Sequence, residues 1–139
     1  MRHHNSVHVR WADLDAFGHI NNAVYLTYVQ EARADMTWYS RQARGLTPLF
    51  KDMVVARAEL DFVEAIYVGG VALDVAIWVE RIGNASFVLS YEMSRNGVLH
   101  ARAKTVQVAV SMETFKSRPI NEVEREFLNE YFEETPLSK

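Results

Sequence analysis

The chain of 139 residues is long enough for one domain whose hydrophobic core needs no disulfide or metal to stabilise it. A net charge of −3 excludes the strong basic excess of a nucleic-acid-binding protein, and no apolar run approaches the roughly 20 residues that cross a bilayer. The absence of cysteine excludes disulfides and thiolate chemistry. It is compatible with a reducing cytoplasm, where we expect a protein whose amino terminus carries no apolar signal segment.

The first predicted elements are a short strand and a long helix. The strand is expected over His8–Trp11. Apolar side chains then recur at helical spacing from Asn22 to about Arg44, which predicts an amphipathic helix. Asn21 or Asn22 can cap its first turn, and Gly45 suits a left-handed stop at its end.

Apolar and polar residues alternate with a period of two after the helix, which predicts a sheet. Asn96-Gly97 is a strong hairpin signal between the last two strands, and a terminal helix is expected over Asn121–Glu134. The four predicted strands cover Val54–Phe62, Leu73–Val79, Phe87–Met93 and Val98–Ser111.

These elements predict an α+β architecture in a single domain, with one long helix packed beside a mostly antiparallel sheet of about five strands. One helical layer leaves the other face or an edge of the sheet uncovered. A second copy of the chain can cover it, so we expect a homodimer.

The segment between the first strand and the helix has the chemistry of a reaction site. It reads DLDAFGHINNAVY and places Asp13 and Asp15 just before the helix begins. The first amides of a helix lack intrahelical partners, and its dipole adds about half a positive charge there, so negative charge is stabilised. The same residue types also serve structure alone, since aspartate caps turns and asparagine caps helices.

This segment resembles the Asp-x-Asp-x-x-Gly-His-x-Asn-Asn-x-x-Tyr pattern of hotdog-fold acyl-CoA thioesterases of the 4-hydroxybenzoyl-CoA thioesterase type. The matching residues are Asp13, Asp15, Gly18, His19, Asn21, Asn22 and Tyr25, and the resemblance extends from about residue 6 to the terminal helix. It implies a helix wrapped by an antiparallel sheet, and a homodimer that has a continuous sheet, interfacial active sites and a tendency to form a dimer of dimers. It also implies thioester hydrolysis without a metal, with coenzyme A as part of the substrate and no separate cofactor.

The resemblance assigns the reactive carboxylate to Asp15 and the oxyanion donor to a backbone amide at Asn22. Asp15 could act as a general base on water or as a nucleophile that forms an acyl anhydride, and the residues leave both open. A preorganised amide donor lowers such a barrier by about 3 kcal/mol. We expect His19 to support the site, Asp13 to be a structural partner of a loop amide or Arg10, and Gly18 to take a positive φ.

The phosphates of coenzyme A need cations or amides. The resembling enzymes often have a basic cluster in the turn that here precedes Ser86, but this chain has Gly83, Asn84 and Ala85 there, with Arg81 nearby. Arg81, Ser86 and the amides around Gly83 are the candidates for phosphate binding. A second set of cations alternates along the last strand at His100, Arg102 and Lys104.

Aromatic residues on the helix and the first long strand are candidates for the acyl pocket: Tyr25, Tyr28 and Phe62, with Trp38 and Tyr39 further along. Three alternatives stay open. The thiol carrier could be acyl carrier protein, the chain could bind acyl thioesters without hydrolysing them, or it could be a hydratase. Within thioesterases, Glu31 or Asp35 on the helix is the rival catalytic carboxylate.

Overall fold

The computed structural model describes residues 1–134. Five strands form one antiparallel sheet in the order β1-β3-β4-β5-β2, and a helical layer packs on one face. The strands are β1 (His3–His8), β2 (Met53–Phe62), β3 (Ala72–Ile82), β4 (Ser86–Arg95) and β5 (Val98–Ala109). The helices are α1 (Val24–Ala34), a π-helical turn (Asp35–Tyr39), α2 (Ser40–Ala43) and α3 (Glu122–Glu130).

The alternation in the two central strands correctly predicts the core. The apolar residues at every second position of β3 and β4 are buried against the helical layer: Leu73, Val75, Ile77 and Val79, and Phe87, Leu89, Tyr91 and Met93. The Asn96-Gly97 turn joins β4 to β5 as predicted. The predicted layer of helix on an antiparallel sheet is therefore confirmed.

The first strand was predicted in the wrong place. It covers His3–His8, and the chain then turns through a short 3₁₀ helix at Trp11–Asp13. The strand is defined by its pairing with β3, from His3 opposite Ile77 to His8 opposite Ala72. Its residues are mostly polar, so their pattern carries no signal of that long-range pairing.

The long helix begins at Val24, two residues later than predicted, and contains a π-helical turn that the periodicity did not indicate. The prediction that Asn21 or Asn22 caps the helix is wrong: the N-cap is Ala23, which has no side-chain capping bond. The side-chain Oδ1 of Asn21 instead accepts a hydrogen bond from the amide of Ala23 at 2.9 Å, in the turn that precedes the helix. Gly45 has φ of 74° and ends the helix as predicted.

The end of the chain also differs in its bounds. β5 ends at Ala109 rather than Ser111, and α3 ends at Glu130. β5 has a bulge at His100, because Ser94 pairs with Leu99 and Met93 pairs with Ala101. His100 therefore does not share the outward face of Arg102 and Lys104, and its side chain is buried. Its Nδ1 lies 2.9 Å from the carbonyl oxygen of Glu64, and only Arg102 and Lys104 keep the expected outward face.

β2 is an edge strand with an unusual surface. Within residues 1–134 it pairs only with β5, and eight of its ten residues are exposed, including Val54 and Val55. A long apolar edge with unpaired backbone groups is a surface that proteins normally cover.

Candidate active site

The predicted reaction segment is a closed loop between β1 and α1. Leu14 bridges to Ile20, and the amide of Asp15 donates to the carbonyl of His19 at 3.0 Å. The amide of Gly18 donates back to the carbonyl of Asp15 at 2.9 Å, and Gly18 has φ of 79°, as predicted for this position. These bonds give Asp15 and His19 a fixed relative position.

The Asp15 carboxylate is only partly engaged. Its Oδ1 accepts a hydrogen bond from the amide of Phe17 at 2.9 Å, and its Oδ2 lies 3.8 Å from Nδ1 of His19, beyond hydrogen-bond distance. The side chain is 22% exposed. A carboxylate with one oxygen held and the other unbonded within residues 1–134 can still accept a proton or attack a substrate.

His19 lies beside Asp15 in an aromatic environment. Its Nδ1 is 3.0 Å from the carbonyl oxygen of Ile20, which can only accept, so this nitrogen carries a proton. The ring stacks with Phe17 at 6.0 Å and meets the edge of Tyr67 at 6.1 Å. The geometry agrees with a side chain that braces the loop.

The start of the helix presents an amide with no acceptor. The amide of Asn21 donates to the carbonyl of Asp13, and Val24 donates to the carbonyl of Asn21, each at 3.0 Å. The Ala23 amide is held by the Asn21 side chain. Across the described part of the chain, the amide of Asn22 contacts no acceptor, so it is available to a ligand.

Asp13 has the opposite environment. Its side chain is buried and accepts four hydrogen bonds: from the hydroxyl of Tyr28 at 2.7 Å, from the amide of Arg10 at 2.9 Å, and from the Arg10 guanidinium at 2.8 and 3.1 Å. Burial alone would raise the pKa of Asp13, but the bonds from Tyr28 and Arg10 outweigh it and hold that pKa below its ordinary value. The predicted pairing of Asp13 with Arg10 is present.

The three aromatic residues predicted to line the acyl pocket are placed differently. Tyr25 and Tyr28 are each 2% exposed, and their rings meet edge to face. The hydroxyl of Tyr28 donates its hydrogen bond to Asp13. Phe62 packs its ring 5.3 Å from Tyr25 and is 48% exposed at the end of β2. Sequence reasoning missed Phe17 and Tyr67, which lie on the surface against His19 in segments without periodicity.

The predicted phosphate-binding turn is distant from Asp15 within one protomer. β3 begins beside the Asp15 loop and ends at Ile82, so its 11 residues separate the loop from Gly83 by about 30 Å. The amide of Gly83 donates to the carbonyl of Ser86 at 2.7 Å, and so is occupied. Arg81 is exposed.

The rival carboxylates lie elsewhere. Oδ2 of Asp35 is 2.7 Å from Nε2 of His3, while Glu31 is exposed. Both line a cleft of about 410 Å³ between β1 and α1, of which Asp15 is not part. Among residues 1–134, no three His, Asp or Glu side chains converge as metal ligands would. No helix in the same range is long and apolar enough to span a membrane.

The fold is shared with solved thioesterases. A predicted thioesterase from Bacillus stearothermophilus is 26% identical, with a TM-score of 0.83 over 98% of this chain and 100% of that one. A thioesterase from Thermus thermophilus, solved with coenzyme A and zinc, is 28% identical, with a TM-score of 0.75 over 92% of each chain. A 1,4-dihydroxy-2-naphthoyl-CoA thioesterase from Synechocystis shares the fold at 19% identity, with a TM-score of 0.78 over 93% of this chain and 96% of that one.

No protein of curated function matches the sequence. A family model, described as the thioesterase-like superfamily, matches residues 9–129. That range includes the Asp15 loop, the helix and every strand from β2 to β5. The chain therefore belongs to the thioesterase-like superfamily and is a thioester hydrolase with the hotdog fold.

Proposed function

We propose that the chain hydrolyses acyl-CoA thioesters to the carboxylic acid and free thiol, with Asp15 as the reactive carboxylate and the amide of Asn22 as oxyanion donor. The observation that supports this most is that one hydrogen-bonded loop contains both a carboxylate oxygen and, just before the helix, a backbone amide that have no partner within residues 1–134. Asp13 stands two residues away but is fully bonded, which leaves Asp15 as the reactive group of the motif.

The chemistry needs an attacking oxygen and a donor for the developing oxyanion. As a base, Asp15 takes a proton from water and the hydroxide attacks the thioester carbonyl. As a nucleophile, Asp15 attacks directly, the thiolate leaves, and water cleaves the acyl anhydride. In either route the Asn22 amide stabilises the tetrahedral oxyanion. The leaving thiolate has a conjugate pKa of about 8.5, so it needs no strong general acid.

The proposal includes a homodimer that pairs through β2, because such a dimer would bring the Ser86 turn of one copy towards the Asp15 loop of the other. β2 begins at Met53, which is opposite Ala109 near the Ser86 turn, and ends at Phe62 beside Tyr25 and the Asp15 loop. Antiparallel pairing of two β2 edges about a two-fold axis brings the Ser86 end of one copy towards the Asp15 end of the other. This arrangement removes the separation of about 30 Å within one protomer. It also covers the exposed apolar edge.

Coenzyme A is the proposed carrier because the related Thermus thermophilus thioesterase was solved with it. The turn before Ser86 is less basic than a strong phosphate site, with Arg81 as its nearby cation. The test therefore compares two carriers, coenzyme A and acyl carrier protein, with the same acyl groups. The carrier with the higher kcat/KM is the substrate class.

The experiment is thiol release from a panel of aromatic and aliphatic acyl-CoAs by the wild type and Asp15→Ala. We expect wild-type turnover on at least one thioester and its loss in Asp15→Ala. In a single turnover in ¹⁸O-water, label in the Asp15 carboxylate identifies the nucleophile route with water attack on the Asp15 carbon of the anhydride, because the general-base route never places a water oxygen on Asp15. Equal, slow release by both proteins from every substrate would refute the proposal. Thermal stabilisation by acyl-CoA without turnover would instead favour a binding protein.

A further inference from the structure

A cavity distinct from the Asp15 loop lies between the end of the long helix and the segment that leads into β2. Its volume is about 330 Å³, and its walls include Gln30, Arg33, Trp38, Phe50 and Lys51. Two of these residues are cations, and none of the described residues that line the cavity is acidic. The site is therefore positively charged with apolar walls.

Arg33 is the more buried of the two cations in this cavity. Within residues 1–134 no carboxylate lies within 4.0 Å of its guanidinium, although the side chain is half-buried. Among the other partly buried arginines, Arg2 binds Glu92 and Glu133, and Arg118 binds Asp52 and Glu124. Arg41 and Arg125 donate to backbone carbonyl oxygens instead, and Arg95, like Arg33, has no carboxylate within 4.0 Å in residues 1–134. A partly desolvated cation without an anion is costly unless something else supplies the negative charge.

The guanidinium is held from one side only. Its Nη1 donates to the hydroxyl of Tyr91 at 3.3 Å, and that buried hydroxyl bonds to Thr105 at 2.7 Å. Burial raises the pKa of Tyr91, so this hydroxyl stays neutral and does not neutralise Arg33. The remaining N–H groups of Arg33 have no partner in the described chain, although the fork of a guanidinium suits a carboxylate.

The π-helical turn contributes the cavity's wall. Thr37, Trp38 and Tyr39 belong to this turn and line the cavity. The Lys51 ammonium lies 5.4 Å from the centre of the Trp38 ring, and the amide of Leu49 donates to the carbonyl of Thr37 at 3.0 Å. Single π-helical turns within helices are frequent at functional sites.

We infer that this cavity binds the carboxylate of a small organic acid. The Arg33 fork receives the carboxylate, Lys51 adds a second positive charge at the rim, and Trp38 and Phe50 contact the apolar body. The carboxylate has two sources: a free acid, such as thioester hydrolysis releases, or a second carboxyl group at the far end of an acyl substrate. The second source rests on the proposed function, and the first does not.

The first arm measures binding of free hexanoate and hexanol by calorimetry, and needs no turnover. We expect saturable binding of hexanoate but not hexanol. Arg33→Gln should weaken it about tenfold or more, Arg33→Lys less, and Lys51→Gln about threefold. Arg95→Gln is the matched control, since Arg95 is also partly buried with no carboxylate within 4.0 Å in residues 1–134, and it lies at the end of β4, outside the cavity.

The second arm compares kcat/KM for adipoyl-CoA and hexanoyl-CoA, which differ by a distal carboxylate. A preference for adipoyl-CoA that disappears in Arg33→Gln and persists in Arg95→Gln identifies an acyl-borne carboxylate. Hexanoate binding that depends on Arg33 identifies a free acid.

The inference is overturned if hexanoate binds equally to wild type and Arg33→Gln and adipoyl-CoA shows no preference that depends on Arg33. It is also overturned if hexanoate does not bind and adipoyl-CoA gains no Arg33-dependent preference. Should Arg33→Gln fail to fold by circular dichroism, Arg33→Lys and Lys51→Gln decide, and unchanged binding in both overturns it. Because the hexanoate arm requires no catalysis, its result is separate from the test of Asp15.

Discussion

Asp13 and Asp15 are two residues apart in one loop, yet their environments are opposite. Asp13 is 2% exposed and accepts four hydrogen bonds from Arg10 and Tyr28. Asp15 is 22% exposed and accepts one, from the amide of Phe17. The difference shows that packing divides the pair into a carboxylate that fixes the loop and a carboxylate that remains partly exposed with one unbonded oxygen within residues 1–134.

The division depends on a side chain from another element. Tyr28 belongs to α1, and its hydroxyl links the helix to the loop through Asp13. The carbonyl of Asp13 also accepts the amide of Asn21, at the start of the helix that carries the proposed oxyanion donor. Asp13 therefore connects the two halves of the proposed site.

The largest effect on stability is expected from Asp13→Ala. The change leaves the Tyr28 hydroxyl and the Arg10 donors without their acceptor, so the free energy of unfolding should fall by about 3 kcal/mol. Asp15→Ala is the matched control, and should change it by less than about 1 kcal/mol because it removes one local bond. Urea unfolding measures both, and equal losses would contradict the division.

A smaller effect is expected from Tyr28→Phe, which removes only the hydroxyl. The acceptor of the lost hydrogen bond is the Asp13 carboxylate, so the free energy of unfolding should fall by about 2 kcal/mol. Tyr91→Phe, which removes a buried hydroxyl bonded to Thr105, is the control at about 1 kcal/mol. Tyr28→Phe alone should lower kcat for a thioester, since it frees the loop. Equal kcat in the two variants would show that the link does not matter.

The pH dependence of stability tests the same link. The lowered pKa of Asp13 means that its contribution is complete above the ordinary carboxyl pKa of about 3.9 and is lost as the pH falls through the lower folded-state value. Tyr28→Phe removes a bond to the charged form, so acid unfolding should begin at a higher pH. Unfolding free energies from about pH 2 to 6 measure this shift, and Tyr91→Phe should not show it.

Arg10→Gln should have the smallest effect. The Arg10 side chain is 64% exposed, so solvent screens its pair with Asp13, and its backbone amide still donates to the carboxylate. We expect a small loss of stability that shrinks as salt is added. A larger, salt-independent loss would show that the guanidinium, rather than Tyr28, anchors Asp13.

Local chemistry explains which parts of the fold are predictable from sequence. The Asn96-Gly97 turn, the Gly45 stop and the burial of Leu73 to Val79 each depend on neighbouring residues. β1 depends on pairing with a strand about 70 residues away, and its polar residues give no sign of it. The π-helical turn covers only five residues, and it buries Thr37 while leaving Tyr39 59% exposed, so the α-helical period taken over the whole helix does not reveal it.

The candidate site also has parts that the sequence predicts and parts that only the folded structure reveals. The loop residues Asp15, Gly18 and Asn21 are close in sequence, so a motif predicts that they lie together. The bond from Tyr28 to Asp13 and the unpaired guanidinium of Arg33 within residues 1–134 depend on how α1 packs, which no local pattern specifies. The distance between Asp15 and Ser86 depends on the length and order of the strands.

The most direct test of the account is Asp15→Asn, with the single-turnover rate of thioester cleavage and the unfolding free energy measured on the same preparation. Asparagine keeps the size of the side chain and the acceptor for Phe17 but removes the base and nucleophile. We predict a rate loss of about 1,000-fold or more with stability within about 0.5 kcal/mol of wild type. A near wild-type rate in this variant would contradict the account and return attention to Glu31 and Asp35.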